Sequence, residues 1–233
     1  MKILLPNPKT FIYATVLYLS AVLTSCLDGS YEQFFPQTEL GLVRYTSDSS
    51  SWYILNDANL KLWPKNAESV ETRPEHNARV LVHFNVLSGD VVPGYDYVIA
   101  LAYMAKINVY DVTPTSAADI AANPSDTLRN VDAAWVGSHY LNVDYYFFYN
   151  TASAQHEVSL LRDTTVVQSD SVKLFLRHDS KGDKGVNPHQ NIVSFDLESL
   201  HDAVQTDTVN INFEVECIEG SFRRSFVYKF NKH

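Results

Sequence analysis

Cysteine is nearly absent from this chain. Two residues in 233, Cys26 and Cys217, cannot build a disulfide framework, so the fold must be held by its core. Basic residues are outnumbered, with 18 Lys and Arg against 27 Asp and Glu and a formal net charge of −9. That balance argues against nucleic acid, whose phosphates are neutralised by Lys and Arg. It also argues against docking a protein face on anionic lipid. The strings G-x-S-x-G, S-x-x-K and H-E-x-x-H do not occur. Eight histidines are present, but none shows the local spacing of a zinc site. Carboxylates are plentiful, yet no pair stands out as a catalytic acid and base. The expectation is a non-enzymatic protein with no cofactor and no metal. No internal repeat or low-complexity segment interrupts it.

The N-terminal segment is different. Phe11–Leu23 is thirteen residues without a charge, preceded by Lys2 and Lys9. A membrane-spanning helix needs about 20 apolar residues, so this run fits the apolar part of a secretory signal. Thr24 and Ser25 are small, as a signal peptidase requires. Leu23-Thr24-Ser25-Cys26 resembles the lipobox of bacterial lipoproteins. The resemblance implies a diacylglyceryl group on Cys26 and cleavage just before it. Two or more acyl chains anchor a protein stably where one does not. Cleavage would remove two lysines and no acid, leaving 208 residues with a net charge of −11. The competing reading is an ordinary signal peptide followed by an incidental Cys.

From Leu42 onwards apolar residues alternate with polar ones, the period of a half-buried strand. Trp52–Pro64 reads as two short strands around a turn at Asn56-Asp57-Ala58-Asn59. Ala78–Leu87 is a further strand. Tyr95–Val112 reads as one long bent strand on its flanks, with a helix as the alternative for its middle, Ala100–Lys106. Thr113–Asp126 breaks the pattern. There Ser116 with Asp119 resembles a helix cap, and a short helix would end before Pro124. Trp135–Asn150, His156–Asp163, Ser171–Asp179 and Asn191–Leu197 resume the alternation. Thr208–Gly220 and Ser221–Phe230 read as a hairpin turning at Glu219-Gly220-Ser221. Strands with turns every 8–15 residues are the signature of an antiparallel sandwich.

Several residues have competing readings. Cys217 alternates with Ile211, Phe213 and Val215, and its neighbours Glu216 and Glu219 disfavour a thiolate, so it reads as a small core hydrophobe. Asp179, Gly182 and Asp183 faintly resemble an oxygen-rich cation loop. Lys181 stands where a ligand should be, and the segment reads as a solvated loop. Ser138 and His139 are adjacent on an expected strand, which would point them to opposite faces and exclude a nucleophile–base pair. In the run Tyr145–Tyr149, alternation assigns Tyr145, Phe147 and Tyr149 to the core. Tyr146 and Phe148 then form either a second packed face or a face for a ligand or partner.

The order of these features resembles the NigD-like lipoproteins of Bacteroidetes: the Leu23–Cys26 lipobox, the WYILNDANLKLWP hairpin, a short helical link, then WVGSHYLNVDYYF. The resemblance implies an all-β fold, with an N-terminal OB-like small barrel followed by an antiparallel β-sandwich. It implies no activity and no catalytic residue, and its one functional residue is the lipidated Cys26. The expected organisation is a signal peptide at 1–25, a lipidated tether at 26–38, a barrel domain at 39–115, a linker with a short helix at 116–130 and a sandwich at 131–233. The expected location is the bacterial outer membrane, facing the periplasm or the cell surface. The expected partners are the membrane through Cys26, and an envelope protein or glycan, with no nucleic acid. The family's name, from a bacteriocin gene cluster, implies a further alternative in immunity or competition.

Overall fold

The computed structural model describes residues 37–122, 125–150, 156–165, 170–183, 185–204 and 206–230. The expected signal peptide, Cys26 and most of the tether lie outside the described residues.

The chain is all-β, and its first five strands close on themselves. They are β1 (Gln37–Tyr45), β2 (Trp52–Asn56), β3 (Lys61–Pro64), β4 (Arg79–Val86) and β5 (Tyr97–Lys106). Their order around the barrel is β1-β2-β3-β5-β4, with β4 returning to β1 and β3 running parallel to β5. This is the connectivity of the OB fold. Alternate side chains point inwards, and Val43, Ile54, Leu62, Val82, Phe84 and Ile99 fill the interior. Asn56 shapes the turn between β2 and β3, since its Oδ1 accepts from the N–H groups of Ala58 and Leu60. Asn59 there adopts φ 63, a conformation that Asn tolerates better than most residues.

Eight strands build the second sheet: β6 (Val109–Thr115), β7 (Asn130–Gly137), β8 (Tyr140–Tyr149), β9 (Glu157–Asp163), β10 (Ser171–Asp179), β11 (Asn187–Asp196), β12 (Thr208–Val215) and β13 (Phe222–Lys229). Their order is β13-β12-β10-β9-β6-β11-β8-β7. β6 is the corner. Its first half pairs with β11 and its second half with β9, so one strand passes from one leaf of the sandwich to the other. Between the leaves lies a single core that includes Leu141, Val143, Leu174, Phe195, Ile211 and Phe213. The pairs within β7, β8 and β11 and the β12–β13 hairpin are antiparallel. β6 is parallel to both its neighbours, and β10 to β12. Parallel pairs cannot be made with hairpin turns, so long connections reach them.

Three expectations change here, the first being that Tyr95–Val112 is one strand: it contains β5 and the start of β6. Val109–Thr115 was expected in the barrel domain, yet β6 belongs to the eight-stranded sheet. The change of sheet falls at Ile107 and Asn108: the Ile107 N–H still donates to the Arg79 carbonyl of β4, while the Asn108 carbonyl accepts from Ser194 of β11. No Gly or Pro marks that step, so the apolar run through it reads as continuous. Residues 116–130 contain the short helix α1 (Ala117–Ala122), where Ser116 Oγ accepts from the Asp119 N–H and donates to its carboxylate. Trp135–Asn150 is two strands, not one. Ser138, at φ 54, and His139 form a tight turn between β7 and β8. Barrel and sandwich lie within one compact unit, Pro36–His233.

Candidate ligand-binding groove

In β2 the buried residues are Trp52, Ile54 and Asn56, so alternation turns Tyr53 outwards. In β3, Leu62 and Pro64 are buried and Trp63 turns outwards. Tyr95 comes from the connection between β4 and β5 and lies against both. Its ring centroid is 4.7 Å from that of Trp63 and 5.3 Å from that of Tyr53. Together with the β1–β2 loop around Asp48, these aromatics line a groove of about 460 Å³. The hairpin face and the two flanking loops are where OB folds bind oligonucleotides and oligosaccharides.

Both loops are pinned in place. The Asp96 N–H donates to the Lys61 carbonyl at 2.9 Å, and the Lys61 N–H donates to the Asp96 carboxylate at 2.7 Å. Gly94, just before Tyr95, has φ +88, which a side chain would strain. On the opposite rim Asp48 organises the β1–β2 loop. Its carboxylate accepts from the Thr46 hydroxyl at 2.6 Å, the Ser50 N–H at 3.1 Å and the Ser50 hydroxyl at 2.8 Å. These hydrogen bonds, that from Thr46 foremost, hold its pKa down at about 2. Asp48 is therefore an anion at every physiological pH. Lys61 is the one cation among the described residues lining the groove. A site this ordered loses little conformational entropy when it is filled.

The same hairpin is tied to the sandwich. Arg79 opens β4 and is 2% exposed. Its guanidinium makes a two-pronged bond to Asp57 in the β2–β3 turn, at 2.5 and 2.7 Å. It also donates to Asn142 Oδ1 of β8 at 2.9 Å and lies 4.5 Å from the ring centroid of Tyr140. Ser194 of β11 completes the set by donating to Asn142 Oδ1. A buried guanidinium requires such a set of acceptors. Gly137 makes room for it, because a Cβ there would overlap the Asp57 carboxylate.

The residues singled out from sequence are placed as follows. Tyr146 and Phe148 lie on the outer face of β8, both half-buried, opposite Gln190 and Pro188 of β11. The Arg129 guanidinium is 5.9 Å from the Tyr146 ring centroid. Tyr145 and Phe147 lie in the core, with Tyr149 packed against it. They are therefore not part of the barrel groove. Cys217 is buried in the core, and burial first, then Glu216, pushes its thiol up to about 11.

Ser138 and His139 correct an expectation. They sit in a turn, not a strand, and Ser138 Oγ lies 3.2 Å from His139 Nδ1. The pair lacks the third group of a nucleophilic site, since no carboxylate orients the imidazole among the described residues. The Asp179–Asp183 loop is not merely solvated. Asp179 binds Lys181, while Asp183 accepts from the Asn150 N–H and lies 3.3 Å from His156 Nε2. Among the described residues no group of three or more His, Cys, Asp or Glu side chains is arranged to hold a metal ion.

A larger hollow, about 630 Å³, lies over β9 and β10 beside α1. Its acids are already engaged: Asp126 accepts from Ser180, and Glu157 and Asp179 both pair with Lys181. Hydrogen bonding holds Asp126 and Asp179 below the usual carboxylate range. Neither is poised as a general acid, which needs a raised pKa.

Sequence reading did not find the barrel groove. Its signal was present in Tyr53 and Trp63 on one face of a hairpin, and in Pro93-Gly94-Tyr95. What could not be read was that the β4–β5 connection folds back onto that face.

The model of the NigD-like C-terminal beta sandwich domain matches residues 111–228, just over half of the chain. A comparison with curated proteins finds no match. Solved structures share the architecture. One is a NigD-like immunity protein from Bacteroides caccae, at TM-score 0.61 and 16% identity, covering 86% of this chain and 99% of that one. A protein of unknown function from Bacteroides vulgatus aligns at TM-score 0.63 and 17% identity over 85% and 92%. A Bacteroides fragilis protein, provisionally described as a lipoprotein, aligns at 0.60 and 10% over 85% and 99%. At these identities the likeness concerns the fold. With its sandwich matched over residues 111–228 and an OB-type barrel in front of it, the chain belongs to the NigD-like family.

Proposed function

We propose that this protein is a lipid-anchored component of the bacterial cell envelope that binds a partner without transforming it. The observation that carries this reading is the ordered aromatic groove on the barrel. It has stacking surfaces and polar groups, but no acid–base pair and no activated nucleophile among the described residues. The anchor rests on Cys26 directly behind the apolar run Phe11–Leu23. The lipoprotein description of the Bacteroides fragilis structure is in keeping with it. Tethering suits a binding protein, because it raises the local concentration of the groove near other envelope components. The outer membrane is the proposed location. A role in immunity or competition is the second reading, favoured by the family's name and by that of the Bacteroides caccae structure.

Two measurements test the proposal. Cys26→Ala is expected to abolish incorporation of labelled palmitate and to release the protein from membranes. Unchanged fractionation would sink the anchor. A photo-crosslinking amino acid at Tyr53 is expected to capture an envelope component in living cells, and its failure to capture any would remove the groove as a working surface.

A further inference from the structure

We propose that the barrel groove binds an oligosaccharide, stacking a sugar ring on Trp63 and Tyr95 and hydrogen-bonding its hydroxyls through Asp48 and Lys61. This rests on the binding role proposed above and names its ligand class.

OB folds use this face for two kinds of polymer, nucleic acids and glycans. Charge decides between them here. Single-stranded nucleic acid needs a basic track along its backbone beside the stacking aromatics. This groove offers one cation, Lys61, against one anion, Asp48. Asp48 stays ionised and would repel a phosphate. A saccharide has the opposite requirements. The C–H face of a pyranose is apolar and carries partial positive charge, so it settles on the negative face of an aromatic ring. Its hydroxyls seek charged acceptors and donors at the ring edge, where charge-assisted hydrogen bonds are the strong ones.

The atoms needed are available. A carboxylate has about four lone-pair positions. Asp48 uses two on Oδ1, for Thr46 and the Ser50 N–H, and one on Oδ2, for the Ser50 hydroxyl. One position remains on Oδ2 for a sugar hydroxyl. Lys61 forms no ion pair among the described residues, so its ammonium is free to donate. Tyr95 is tilted 53° to Trp63 and 69° to Tyr53, so the three rings form a faceted wall and not one flat platform. Such a wall offers successive stacking surfaces to successive sugar units. A second, smaller hollow of about 360 Å³ continues past Trp63 towards Glu68 and Arg73, which lengthens the track beyond one ring.

The test uses the mature chain without its lipid, fluorescently labelled, on an array of bacterial surface and host oligosaccharides. Oligothymidine of ten nucleotides, read by anisotropy, is the competing probe. Binding to one or more glycans is expected, with Trp63→Ala and Asp48→Asn each weakening it roughly tenfold or more, as for central contacts. Trp63→Phe keeps a stacking ring and is expected to retain most of the binding, and circular dichroism of each variant confirms folding. A blank array overturns the inference. So does oligothymidine binding in place of glycans, or loss of glycan binding in Tyr146→Ser/Phe148→Ser with none in folded Trp63→Ala. A blank array with continued crosslinking at Tyr53 would remove the glycan alone and leave the binding role standing. A blank array with no crosslinking would remove both.

Discussion

Arg79 is the largest side chain buried almost completely in the described residues, and its charge explains several of its neighbours. Asp57 neutralises it, Asn142 accepts from it, and Gly137 stays small to admit Asp57. Asp57→Ala should therefore destabilise the fold by roughly 3–5 kcal/mol, the cost of leaving a buried charge without its partner. Urea unfolding of the two proteins measures it directly. Gly137→Ala should act in the same direction through displacement of the Asp57 carboxylate. Cys217 gives a second prediction at this scale. Its thiol is buried and pushed up to about 11, so almost none is thiolate at pH 8. In the Cys26→Ala protein a thiol reagent should leave the native chain unmodified and label it fully in denaturant. Rapid labelling of the native chain would place Cys217 at the surface.

Among the elements, the adjoining ends of β8, β9 and β10 hold a histidine cluster. His156 Nδ1 is 2.9 Å from His178 Nε2, and Phe147 packs against both rings. Burial, and then His156, hold the His178 imidazole below its usual range, although Asp126 and Asp179 work the other way. The folded chain thus takes up this proton at lower pH than the unfolded chain, whose histidine titrates near 6.5. Below about pH 6.5 the unfolded state binds more protons, so stability falls as the solution is acidified. The melting temperature should decline between pH 7 and 5.5, and His178→Gln should flatten that slope. The strands themselves were largely legible, because period-2 alternation is local and marks β2, β3, β4, β10, β12 and β13. Junctions were not. Nothing in Ile107-Asn108 marks a change of sheet, and Gly137-Ser138-His139 lacks the Asn-Gly or Asp-Gly signal of a tight hairpin. The barrel groove was illegible for the same reason, since it depends on a loop returning to a strand far from it in sequence.

Taken whole, the protein is two β architectures sharing a polar joint. Asp57 and Arg79 come from the barrel, and Asn142 and Ser194 from the sandwich. Heating should therefore melt residues 36–233 in one transition, with calorimetric and van't Hoff enthalpies equal. Arg79→Met, which removes the joint's charge, is the variant expected to separate the two melts. That joint also limits how the barrel can be reused. A barrel cut out at Ile107 and grafted onto another protein would carry an uncovered guanidinium–carboxylate pair at its base. The recipient would have to supply an amide and a hydroxyl at the positions of Asn142 and Ser194, so exchange of barrels is open to relatives whose sandwiches keep that pair and closed to those that do not.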